Sequence, residues 1–345
     1  MALKPPVEVP QGAIRLNTDS QKLEFYAQDQ WWEMATDVPT LDGGARGLAI
    51  GGNVSPTGVN NKIDYITIPS AGNAIDFGDM VSGLFAAAGM SSRTRAVVSG
   101  GRQTPGTVSD IQYLTMSSTG NTIDWGANPL NSLSYGSGAV SNQTRGVTMG
   151  GSNTSNTHLN DMQYLTIASL GTINDFGDIS STRTYIASVN SPTRGIAAGG
   201  QGASPYPISN IMEYITIAST GNAQDFGDLS VAGFRLGGCM SSTRGLFAYG
   251  ETPAGDNKKN IDYVTIASKG NGVNFGDLSV SGQHPVGTSD SVRGVWLGRQ
   301  NGSPYADNDV IDYNTIATLG DAVDFGNLIS VTSMPASAST GHGGL

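Results

Sequence analysis

Charge and metal-ligating side chains are scarce in this sequence: of 345 residues 13% are charged, one is cysteine and three are histidine. A lone Cys239 cannot form a disulfide within the chain, and its Gly-Gly-Cys-Met setting holds no histidine to activate it, so it reads as a small buried hydrophobe rather than a nucleophile. His158, His284 and His342 lie far apart with none of the spacings of a zinc site, and no metal or cofactor is expected. Basic residues are outnumbered, Lys+Arg 18 against Asp+Glu 28 for a net charge of -10, which disfavours nucleic acid as a partner because each phosphate contact needs a cation. No apolar run approaches the ~20 residues of a membrane helix, and the first residues lack the apolar stretch of a signal peptide. The expectation is a chain made soluble in a cytoplasm, without membrane insertion. Also missing is any sustained helical period.

Abundant instead are glycine, 48 residues, and repetition. Arg46, Arg95, Arg145, Arg194, Arg244 and Arg293 recur at steps of 49 or 50 residues. Tyr65, Tyr113, Tyr164, Tyr214, Tyr263 and Tyr313 keep the same step, as does an Asp-Phe-Gly-Asp phrase, seen at 76–79, 175–178 and 225–228 and varied at 124–126, 274–277 and 324–327. Each unit offers about four short strands, rich in β-branched and aromatic residues and separated by turn residues such as Ser-Thr-Gly-Asn. A unit of about 50 residues with four strands is the period of a propeller blade. The first unit lacks a strand before Arg46, while the chain ends with one spare, within 329–340. The fold expected is therefore an all-β, six-bladed β-propeller over residues 41–345, closed by its C-terminal strand and preceded by a small β segment over 1–40.

Recurrence also bears on chemistry. Asp-Phe-Gly holds magnesium in kinases, but here it repeats without a phosphate loop or a paired lysine, so a structural turn is the better reading. Its aspartates are expected to accept backbone N–H groups and to pair with the recurrent arginines. Weak calcium binding by Asp76 and Asp79 would leave the ion short of the 6–8 ligands it takes. A residue needed by every blade is architectural, so the six arginines are read as structural and the six tyrosines as core. Binding would fall to what varies, the loops after each glycine pair, which should emerge on one face and which carry His158, Tyr206, Lys258, Lys259 and Tyr305. No catalytic constellation is evident, and an enzyme is not expected.

The double glycines at 51–52, 100–101, 150–151 and 199–200, followed by a Tyr-bearing strand and an aromatic turn, resemble the kelch propeller repeat. The pair is lost at Tyr249-Gly250 and Gly298-Arg299, and the tryptophan usual in kelch blades is present only as Trp125. The phrases Ile-Asp-Tyr-Ile-Thr-Ile and Asp-Phe-Gly-Asp-Leu are similar to repeats in virion proteins of tailed phages, marine and cyanobacterial ones especially. Residues 11–33, from Gly12-Ala-Ile-Arg-Leu-Asn-Thr-Asp through Leu-Glu-Phe-Tyr to Trp31-Trp32-Glu33, resemble a module of phage fibre and appendage proteins in which chains associate, often as trimers. The resemblance implies a virion component of tail-fibre or capsid-fibre type, a homotrimer that contacts other virion proteins and a host surface glycan or protein. About forty residues cannot bury a stable core alone, so Leu16, Leu23, Phe25, Trp31 and Trp32 need a partner surface. Two other readings stay open. A glycan-degrading, sialidase-like propeller would need carboxylates about 5–9.5 Å apart, and an intracellular kelch-like scaffold would leave the N-terminal segment without a role.

Overall fold

The computed structural model describes residues 9–17, 22–33, 45–54, 58–103, 106, 110–127, 135–169, 171–302 and 306–345. They form strands and no helix, and the chain divides into two compact units, Met1–Thr40 and Leu41–Leu345.

The first unit is one sheet of Ile14–Asn17, Lys22–Ala27 and Gln30–Glu33 in that order, antiparallel throughout. Gln28 and Asp29 both take positive φ, the geometry that lets a two-residue turn match the twist of its strands. Register sorts the faces: Ile14 lies opposite Phe25 and Phe25 opposite Trp32, whereas Tyr26 lies opposite Trp31. The expectation that Trp31 joins the uncovered group is therefore corrected. Strand alternation puts it on the other face, with Arg15 4.1 Å above its ring and Tyr26 against its edge. Ile14 takes its place beside Leu16, Phe25 and Trp32, all four exposed. Leu23 lies opposite Leu16, but its side chain is outside the described residues.

The second unit is a series of four-stranded antiparallel sheets, a propeller-like arrangement. In the fourth repeat the order is Ala187–Asn190, Arg194–Ala198, Ile211–Thr216, Gln224–Asp228. The sheet that holds Arg46–Ile50 takes its first strand from the other end of the chain, Ala336–Ser339, with Ser339 opposite Gly47 and Ala336 opposite Ile50. First strands of successive sheets pack side by side, Ala88–Ser91 touching both Gly138–Ser141 and Ala336–Ser339. Second strands are buried on both faces, which explains their continuous apolar character, and the core lies between sheets. Leu48, Ile50 and Phe77 of one repeat meet Ala96, Val98 and Leu114 of the next.

The Asp-Phe-Gly phrase is the joint between repeats. The Phe77 carbonyl accepts from Gly120 N at 2.8 Å, Thr122 N donates to the Asp79 carbonyl at 2.9 Å, and Asn121 Oδ1 accepts from Asp79 N at 3.0 Å. The same three bonds join 176–178 to 221–223 and, across the chain's ends, 325–327 to 72–74. Glycine is required there for two reasons. Gly276 has φ +155, and a Cβ on it would lie 2.4 Å from the Gly320 carbonyl oxygen.

The recurrent arginines span the same joints, but not as ion pairs with these aspartates. Arg46 donates to the Met116 carbonyl at 2.8 Å, Arg194 to that of Ile266 at 2.9 Å, and Arg293 to that of Ile68 at 3.1 Å. Each guanidinium lies over the tyrosine of its own repeat, 4.3 to 4.8 Å from the ring centroid. Each tyrosine in turn meets the Phe or Trp of the Asp-Phe-Gly position edge-on at about 6 Å. The tyrosines are half-buried at the margin of the core: each packs against a core cluster, with the arginine over its ring. Of the aspartates, Asp124 accepts a backbone N–H as expected, from Gly126 at 2.9 Å, whereas Asp79 pairs with Lys62 at 2.8 Å and Asp277 with Lys259 at 3.5 Å.

A further sixfold feature is the polar residue just before each tyrosine, Asp64, Gln112, Gln163, Glu213, Asp262 and Asp312, buried in every repeat. Where the strand of the preceding repeat ends, it accepts a backbone N–H: Ile329 to Asp64 at 3.1 Å, Val81 to Gln112 at 3.1 Å, Ser180 to Glu213 at 2.9 Å and Ser230 to Asp262 at 2.9 Å. Arg183 pairs with Glu213, Arg299 with Asp312 at 2.6 Å, and Tyr249 donates to Asp262 at 2.7 Å.

Replacing Gly276 with alanine forces both a clash with carbonyl oxygen and an unfavourable φ, and should cost about 2 kcal/mol. Gly270→Ala, where an added Cβ meets nothing within 4 Å, should cost little. Urea midpoints of the two variants check this; equal midpoints would contradict the joint described.

Candidate functional site

A cavity of about 170 Å³ runs between the first strands. Small residues line its middle, among them Gly89, Ala139, Ala187, Gly238 and Gly287, because the strands approach one another too closely for anything larger; a Cβ on Gly89 would lie 2.1 Å from the Ser337 carbonyl oxygen.

At one end residues 340–345 cross the opening. His342 is buried, its Nε2 donating to the Ser91 carbonyl at 3.2 Å while Nδ1 accepts from Gly344 N at 3.1 Å. Those two partners fix the neutral tautomer, since a second ring proton would face an N–H. Burial pushes its pKa down to about 4, the Ser91 carbonyl working weakly the other way. Around it, Ser91 Oγ donates to the Ser339 carbonyl at 2.9 Å and Asn190 Nδ2 to that of Ser141 at 2.7 Å.

The other end is built from the links that enter the first strands. One residue per link adopts the left-handed conformation: Ala86, Gly136, Tyr185, Arg235, His284 and Met334, with φ between 53 and 67°. They are tied head to tail through the backbone. Ala86 N donates to the Met334 carbonyl at 2.9 Å, Gly136 N to Ala86 at 2.8 Å, Tyr185 N to Gly136 at 2.6 Å, Arg235 N to Tyr185 at 3.3 Å and His284 N to Arg235 at 3.1 Å. The loops after the glycine pairs bridge onto the same links, Arg102 to Phe85, Ser152 to Tyr135, Glu251 to Phe234 and Gln300 to Gln283. Loops and mouth therefore share one end of the sheets, as an antiparallel four-strand order requires.

Tyr185, Arg235 and His284 occupy successive positions of this mouth; the other three are Ala86, Gly136 and Met334. The Tyr185 ring lies 5.2 Å from that of His284 and 5.9 Å from Tyr135, both edge-on. Arg235 Nη1 donates to Glu251 at 3.0 Å and also to Gln283. Burial, with the Arg235 charge beside it, holds the His284 imidazole well below its ordinary pKa, and burial raises that of Tyr185. Both are neutral at pH 7. Sequence reasoning missed this set, although a signal existed: positions 86, 136, 185, 235, 284 and 334 keep the step of the repeat while their side chains do not.

Of the expected loop residues, His158 and Tyr206 come together from adjacent repeats, ring centroids 6.1 Å apart, and His158 Nδ1 is buried without a partner. Lys258 and Lys259 do not join them; Lys258 pairs with Asp256 at 2.5 Å. Tyr305 lies outside the described residues. Cys239 is buried, and burial raises its thiol pKa far above the usual range. Among the described residues no cluster of three or more His, Cys, Asp or Glu is arranged to hold a metal ion.

No protein-family model matches the chain, and no curated protein matches it either.

Because the folded pKa of His342 is depressed, its contribution to stability is complete above the ordinary histidine value near 6.5 and is lost as pH falls through 4, roughly 3 kcal/mol in all. His342→Asn should flatten the stability profile between pH 6.5 and 4.5 relative to the parent, in denaturant unfolding at fixed ionic strength. An unchanged slope would show that the neutral imidazole is not what holds residues 340–345.

Proposed function

We propose that the chain is a structural and adhesive component of a tailed-phage virion, of fibre or decoration type, and not an enzyme. In this reading the repeats form a six-bladed propeller closed by Ala336–Ser339, and the N-terminal sheet joins the chain to its own copies as a homotrimer and to other virion proteins. The loop face, with His158 and Tyr206, touches the host surface or a neighbouring virion protein, weak single contacts being strengthened by multivalency. The observation that carries the proposal is the exposed apolar face of the N-terminal sheet, with Ile14 63%, Leu16 60%, Trp32 44% and Phe25 37% accessible. Sheets this small are not stable with one face of large apolar side chains in water, and burial on a partner recovers about 25 cal/mol per Å². The strand pairing of 336–339 with 46–50 supports closure.

Light scattering coupled to size exclusion tests the association. Full-length protein should run as a defined oligomer, a trimer on this proposal, and Leu16→Glu/Phe25→Glu should reduce it to a folded monomer with unchanged far-ultraviolet circular dichroism. A monomeric parent protein would overturn self-association through this face.

A further inference from the structure

The mouth built by Tyr185, Arg235 and His284 breaks the symmetry of an otherwise regular frame, and several of its polar atoms have no partner among the described residues. His284 is only 7% exposed and lines the cavity, yet neither ring nitrogen bonds to any described residue. The Tyr185 hydroxyl likewise has no partner among the described residues. Arg235 is the one charged side chain among the described residues that line the cavity, since His284 and His342 are neutral. Glu251 and Gln283 hold its Nη1 and so fix the guanidinium plane, while Nε is buried without an acceptor and Nη2 has none among the described residues. Nε and Nη2 form one side of the guanidinium fork, the side that takes a carboxylate through two parallel hydrogen bonds.

From this geometry we infer that the mouth is a binding site for a single carboxylate-bearing sugar ring of the uronic-acid class, its carboxylate on the Nε and Nη2 side of Arg235, its hydroxyls on His284 and the Tyr185 hydroxyl. Size and charge set the class. A cavity of about 170 Å³ is below the roughly 300–1,000 Å³ of drug-sized pockets and admits one ring. A single guanidinium already sharing Glu251 suits a monoanion better than a phosphate dianion. The neutral imidazole can donate and accept at once, which matches hydroxyl groups, and the Tyr185 ring supplies an aromatic surface for sugar C–H groups. The inference does not rest on a virion role; any protein carrying this mouth would bind the same ligand.

The test is saturation-transfer and chemical-shift NMR on the full chain with glucuronate, glucose and a disaccharide ending in glucuronate. Glucuronate should bind at least tenfold more tightly than glucose. Arg235→Lys, which keeps the charge and loses the fork, should abolish that preference, with the thermal midpoint confirming that the variant is folded. No binding of glucuronate, equal binding of the two monosaccharides, or a preference that survives Arg235→Lys would overturn the site. If the disaccharide binds as well as free glucuronate, the acid is presented on a glycan; if only the monosaccharide binds, the ligand is a free sugar acid. Failure here would leave the oligomer measurement, and the proposal it tests, untouched.

Discussion

The joint between repeats is the constraint on which the rest of the second unit depends. At Gly78, Gly177, Gly227, Gly276 and Gly326 the glycine lies against the turn of the next repeat so closely that no side chain fits, and the turn answers with two backbone donors and one side-chain acceptor. The arginine reaches over the same boundary to a carbonyl and roofs its own tyrosine. These contacts are backbone hydrogen bonds, charge-assisted bonds from arginine to carbonyl, cation–π contacts and close backbone approaches. That explains how a chain with so few charged residues keeps regular sheets in register: directional backbone contacts, not ion pairs, fix the spacing. Where buried ion pairs do occur, Arg183 with Glu213 and Arg299 with Asp312, their carboxylates occupy the position taken by Gln112 and Gln163 in two other repeats and by Asp262, which accepts from the Tyr249 hydroxyl, in the fifth. The position requires an acceptor for a strand-end N–H.

A frame fixed in this way leaves two places free to vary. One is the set of loops after the glycine pairs, and the other is the six left-handed positions around the mouth, whose backbone bonds to one another whatever the side chain. Since those backbone bonds do not depend on the side chain, alanine, glycine and methionine at three of them coexist with tyrosine, arginine and histidine at the rest. The opposite end has no such freedom. There residues 340–345 fill the opening, and a buried neutral histidine holds them.

The N-terminal unit obeys a different economy. Three short strands give it one face covered by Arg15, Tyr26 and Trp31 and another that stays apolar and exposed. A sheet of that size is half of a core, and its stability is tied to whatever completes it.

Much of this was legible in the residues. The repeat step, the strand content, the turn phrases and the missing first strand determined an all-β chain of four-stranded units with the last strand lent to the first, because period and pattern are local properties that survive in one dimension. The boundary near residue 40 was legible for the same reason. Partners were not. The arginines were expected on aspartates and sit instead on carbonyls of the next repeat, Trp31 was expected among the residues that need a partner surface and lies on the opposite face from Phe25 and Trp32, and the mouth was invisible although its positions keep the step. In each case the deciding fact is which groups the sheets bring together across many tens of residues, and the direction in which a backbone turn aims a side chain. A repeat dictates its own strands; only the packing of one repeat on another decides what an arginine, a tyrosine or a histidine meets.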